Sequence, residues 1–343
     1  MHWNNKLNER LSHGGELEKF SNQYGIAVDQ WLDLSTGISP YCYPIPSVPI
    51  RIWQRLPEQT DAFRQAVTDY YKISNWLACS GTQSAIQVLP KLWFNKCNKP
   101  SQIWLPRVGY KEHEHAWRSY LNSVIQYENL PEANDLTQNC VVVVINPNNP
   151  TGQVYQKQVL LNLANNLKEK NGLLVIDEAF IDCEQEEIFF KQADDFTNLI
   201  ILRSMGKFFG LAGLRVGFVL SNQEWLSDFE NVLGIWSVTG PSLYIAERAL
   251  KDVEWQKMQK QRLFEQGNKL TLLLKDIFDT NVNGTSLFKS FKSKCAVDIH
   301  HQLCKHGVLV RLCDEKDRLR FGIPDNAGFE RISSIMSKLK QSF

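Results

Sequence analysis

Residues 199–218 read LIILRSMGKFFGLAGLRVGF. The opening is a short apolar run, the pattern of a strand buried on both faces. It then breaks into small residues around Lys207, with Arg203 before and Arg215 after it. A core strand would not choose a lysine, and a surface loop would not choose Phe208, Phe209 and Leu211. The stretch therefore reads as a buried strand that delivers a lysine into an apolar, glycine-rich turn. Three earlier runs have the same strand character: QIWL (102–105), VVVVIN (141–146) and LLVIDEA (173–179). Amphipathic segments lie between them, as in 156–171, where Val159, Leu160, Leu163 and Leu167 fall near helical spacing. This alternation predicts an α/β unit with a largely parallel sheet, whose ligands sit at the carboxyl ends of the strands.

After Gly240-Pro241 the pattern changes. A helix is predicted over about 241–277, followed by strands at 296–301, 308–312 and 318–323, which together make a smaller α+β unit. PYCYPIPSVP (40–49) carries four prolines and reads as an extended connection. The division expected is a large cofactor-binding domain over 45–240. A small domain would be formed by 1–44 and 241–343, with its N-terminal segment lining the substrate site.

Composition is that of an ordinary globular enzyme. Of 343 residues 43% are hydrophobic and 22% charged, and the formal net charge is +1 with acids and bases interspersed. Nothing in this favours a nucleic-acid or membrane partner. The start, MHWNNKLNER, has no apolar signal region, so a cytoplasmic protein is expected. Eight scattered cysteines without a CxxC pair read as free thiols, and the seven histidines show no HExxH spacing, so no metal is expected.

Four polar clusters follow the apolar runs. SGT (80–82) opens a helix, whose N–H groups suit a phosphate. NPNNPTG (146–152) is made of turn residues. Asp177 closes an apolar strand, where an acid is costly unless it meets a donor or cation. Lys207 and Arg215 flank the glycine-rich turn. A lysine in an apolar setting can lose its proton and bond an aldehyde. Pyridoxal 5'-phosphate needs that amine, an acid for its ring nitrogen and a cradle for its phosphate.

SGT, NPNNPTG, DEAF (177–180), RSMGK (203–207), GLRVG (213–217) and LRFGI (319–323) occur here in one order. In that order they resemble the fold-type-I pyridoxal-phosphate enzymes of the aspartate-aminotransferase superfamily. The branch resembled holds histidinol-phosphate aminotransferase and threonine-phosphate decarboxylase. The resemblance covers most of the chain. It implies a mostly parallel, seven-stranded large-domain sheet and a homodimer. It also implies that Lys207 bonds the cofactor, Asp177 meets its ring nitrogen and Asn149 its ring hydroxyl. Gly81, Thr82, Ser204 and Arg215 would hold the phosphate, while His113, or alternatively Tyr110, would stack on the ring.

Three features favour the decarboxylase branch. Phe180 stands where aminotransferases usually carry tyrosine, and Ile181-Asp182 follow it as in that branch. His13-Gly14-Gly15, with LDLSTGISP (32–40) after it, matches that branch's substrate-lining segment. Leu56 replaces a tyrosine that histidinol-phosphate enzymes extend to a neighbouring subunit. Two positions depart from the pattern: Gly206 replaces a hydroxyl residue before the lysine, and Ser39 a more usual asparagine. Arg320 matches the family's arginine for the substrate anion, and Arg311 one used by phosphate-bearing substrates. The activity implied is decarboxylation of O-phospho-L-threonine to (R)-1-amino-2-propanol O-phosphate in cobalamin biosynthesis. The substrate contacts would be His13, Gly14, Arg311 and Arg320. A histidinol-phosphate-type aminotransferase is the alternative, and a non-catalytic cofactor-binding relative the second.

Overall fold

The computed structural model describes residues 13–97, 101–120, 123–184 and 196–340. They form two compact units. The first comprises 43–149 and 154–253, and the second 13–42, 150–153 and 254–340.

The first unit is built on a seven-stranded sheet. Its spatial order is Trp76–Cys79, Gly217–Leu220, Leu199–Ser204, Leu173–Asp177, Val141–Ile145, Ile103–Pro106 and Val124–Tyr127. All neighbours are parallel except Gly217–Leu220, which runs antiparallel to both strands beside it. The central runs contain apolar residues at every position because every position is buried. The register sets Ile145, Asp177 and Leu202 side by side, so successive strands end at one edge. The helix Lys157–Glu169 buries Leu160, Leu163 and Leu167. Val159, expected on that stripe, lies on the exposed side of the helix.

The second unit has its own sheet: Leu32–Leu34, Val308–Leu312, Arg318–Gly322, Phe288–Lys292 and Asn283–Gly284. The N-terminal strand pairs parallel with Val308–Leu312, and the remaining pairs are antiparallel. Two expectations are corrected here. Residues 296–301 begin the helix Ala296–Lys305, whose buried Ala296, Ile299 and Leu303 repeat at helical spacing. The single helix expected over 241–277 is two, Gly240–Lys251 and Val253–Phe278, the first belonging to the first unit. Residues 42–49 adopt no regular element. Among the described residues no helix is long and apolar enough to cross a membrane.

Candidate active site

Nine of the residues singled out in the sequence lie in the first unit, close to where its strands end. Asp177 is the last residue of its strand and 3% exposed. Its Oδ1 accepts from the Ala179 N–H at 3.1 Å, which fixes the carboxylate against its own turn. Its Oδ2 lies 2.9 Å from His113 Nε2. His113 is buried on the helix Lys111–Arg118, and its Nδ1 has no hydrogen-bond partner. The Tyr110 ring stands 6.2 Å away at 84° to it. The two rings therefore cannot lie face-on to the same flat group. Tyr110 donates through its hydroxyl to Gln83 Oε1 at 3.0 Å, and Gln83 donates in turn to Glu112 at 2.6 Å. Burial, then Glu112 and Asp177, push the Tyr110 phenol up, so it stays a protonated donor.

Ser204 ends the next strand, and its Oγ accepts the Gly206 N–H at 3.3 Å. Lys207 follows in the turn, its Nζ 5.3 Å from the centroid of the buried Phe180 ring. Arg215 takes a left-handed conformation at φ 54° and donates to the Ala212 carbonyl. That places its guanidinium on Gly81, where an added Cβ would stand 2.5 Å from Nη2. Gly81 begins the helix Thr82–Lys96 without a side-chain cap, leaving its first-turn N–H groups to other acceptors. Gly217 is required for a related reason: a Cβ there would stand 2.5 Å from the Thr82 nitrogen. The Asn149 turn is braced by its neighbours: Asn148 donates to the Val108 carbonyl at 2.8 Å, and Asn146 Oδ1 accepts from Tyr155 at 2.8 Å.

One cluster escaped the sequence reading. Arg203 is 4% exposed and forms ion pairs with Glu178 at 3.0 Å and with Asp182, its guanidinium lying over the Tyr71 ring. Burial opposes its charge, but Asp182 and Glu178 outweigh that and raise its pKa. The only signal in the sequence was an arginine ending an apolar run.

The remaining expected contacts lie in the second unit. Gly15 donates to Ser35 Oγ at 2.7 Å, and Gly14 packs against the Ser35 carbonyl. Arg320, 5% exposed, donates to that same carbonyl. Arg311 and Arg320 stand directly opposite each other on antiparallel strands. Like charges so placed repel, and Arg311 is partly compensated by Asp314 at 3.0 Å. Burial, followed by Arg311, brings the Arg320 pKa down to about 10. The segment preceding His13 in the LSHGGEL match, Leu11 and Ser12, lies outside the described residues.

The class I and II aminotransferase family matches residues 54–328. A threonine-phosphate decarboxylase from Pseudomonas aeruginosa is 35% identical, over 96% of this chain and 98% of its own length. Another, from a Sinorhizobium species, is 36% identical with the same coverage. The chain belongs to the threonine-phosphate decarboxylase family.

In fold, the family member described here is similar to a histidinol-phosphate aminotransferase from Sinorhizobium meliloti. The TM-score is 0.80 at 18% identity, covering 98% of this chain and 97% of that one. Threonine-phosphate decarboxylases are pyridoxal-phosphate-dependent lyases, and this chain is a lyase of that cofactor class. The donor set of the first unit fits the group. A buried carboxylate is held at a strand end, an amine sits beside an aromatic ring, and an uncapped helix start meets an arginine.

Proposed function

We propose that this enzyme decarboxylates O-phospho-L-threonine to (R)-1-amino-2-propanol O-phosphate in cobalamin biosynthesis. What carries the reading is that the relatedness runs through both units. It includes the strands that set Arg311 opposite Arg320. A substrate with a carboxylate and a phosphate suits two guanidinium forks.

In this reading Gly81, Thr82, Ser204 and Arg215 hold the cofactor phosphate, Asn149 the ring hydroxyl and Asp177 the ring nitrogen. Tyr110 takes the stacking role and His113 does not, because the His113 ring edge is committed to Asp177 and its plane is turned away from that of Tyr110. When bound, pyridoxal phosphate supplies an electron sink for the substrate carbon that loses its carboxylate. Lys207 would hold the cofactor, and its Nζ would donate the proton that replaces carbon dioxide. Phe180 places an aromatic ring, and no phenol, beside that amine. Arg320 binds the substrate carboxylate, Arg311 the phosphate, and His13 with Gly14 closes over them.

The enzyme works as a cytoplasmic homodimer. Ile45, Ile50, Trp53 and Leu56 are 63%, 70%, 63% and 65% exposed within a few residues of one another, a patch suited to burial by a second copy. The direct test of the nucleophile is Lys207→Ala. It should abolish both the borohydride-sensitive absorbance of the bound cofactor and product formation from O-phosphothreonine. Retained turnover would refute the assignment.

A further inference from the structure

The second unit contains a cavity of about 300 Å³ lined by His13, Phe20, Ser35, His300, Arg311 and Lys316, among others. Three of these were not assigned above: Phe20, His300 and Lys316. His300 lies on the helix Ala296–Lys305 and is hydrogen-bonded to the Val310 backbone, one residue before Arg311. The Phe20 ring meets it edge-on at 5.7 Å. Around it stand Cys304, 3.8 Å away, and His301 on its own helix, Arg311 from the neighbouring strand, and His13, Asp314 and Lys316 across the cavity. The lining is thus rich in cationic and proton-accepting groups, with Asp314 already paired to Arg311.

We infer that His300 is a specificity-determining residue for the substrate's phosphate, sharing a tetrahedral oxyanion with Arg311 in this cavity. The inference rests on the decarboxylase reading for the identity of the substrate, but the oxyanion site stands on the cavity itself. Without an anion, burial lowers the imidazole pKa against the raising effect of the Val310 hydrogen bond, and His301 and Arg311 lower it further. A dianion beside Arg311 reverses the local sign of charge. His300 then takes one proton from solvent onto the ring nitrogen not bonded to Val310 and gains a charge-assisted hydrogen bond. Because the bound state holds the extra proton, oxyanion affinity rises as pH falls through the histidine range.

Sulfate tests this without a titrating ligand, since it stays a dianion from about pH 5 to 8. The holoenzyme is used, so that the Arg215 cradle is already filled by cofactor. Its histidine ring resonances are followed by NMR against pH, with and without sulfate, and assigned with H300Q or H300N. Sulfate should raise the His300 titration midpoint. H300Q should weaken sulfate about tenfold near pH 6 and little near pH 8. Sulfate binding that leaves the His300 midpoint unmoved would overturn the inference, as would an H300Q enzyme with wild-type KM for O-phosphothreonine. If sulfate shifts His300 but O-phosphothreonine is not turned over, the oxyanion site stands and the substrate reading falls.

Discussion

Asp177 and His113 are joined by one 2.9 Å hydrogen bond between residues 64 apart in the chain. The bond removes freedom from a carboxylate that must be in place before chemistry begins. Asp177→Asn should lower kcat by about 10²–10⁴-fold, the usual weight of a proton-managing group. His113→Gln should cost about 10²-fold through misplacement, and should also shift the pH dependence of the cofactor's absorbance, which a purely structural role would leave alone. Arg203→Met leaves Glu178 and Asp182 buried without their cation. It should destabilise the fold by about 3–5 kcal/mol, measured by urea unfolding. Lys207 and Arg215 stand out in the sequence because each is a lone charge among apolar or glycine residues, and Asp177 because it closes an apolar run. His113 was legible only as a ring near the site. Its role depends on a partner that the sheet, not the local sequence, brings to it.

At the level of elements, the parallel strands were readable because burial on both faces demands unbroken apolar runs. The 296–301 segment was misread for the opposite reason: six residues are too few to separate a period of 2 from one of 3.6, and the repeat completes only at Leu303. The junction of the strand Gly217–Leu220 with the helix Thr82–Lys96 was visible only as a glycine. Gly217→Ala would push a Cβ against the Thr82 nitrogen and displace the helix start. Overpacking of about 1–3 kcal/mol there should weaken cofactor affinity by roughly tenfold or more. Equilibrium dialysis of the cofactor measures it, and unchanged affinity would separate the helix start from phosphate binding.

For the whole molecule, the exposed apolar residues of 45–56 predict a dimer at micromolar concentration in analytical ultracentrifugation. Trp53→Asp combined with Leu56→Asp should shift it toward monomer. The change of pattern after residue 240 does not reveal the allegiance of the helix Gly240–Lys251, which belongs to the first unit. Its buried Leu243, Ala246 and Leu250 give it an apolar face that either unit could have received. Which bond the enzyme breaks is read directly from its products. Purified holoenzyme given carboxyl-labelled O-phospho-L-threonine should release labelled carbon dioxide in one-to-one ratio with 1-amino-2-propanol O-phosphate, independently of 2-oxoglutarate. Amino transfer between histidinol phosphate and 2-oxoglutarate, with no carbon dioxide from O-phosphothreonine, would contradict it.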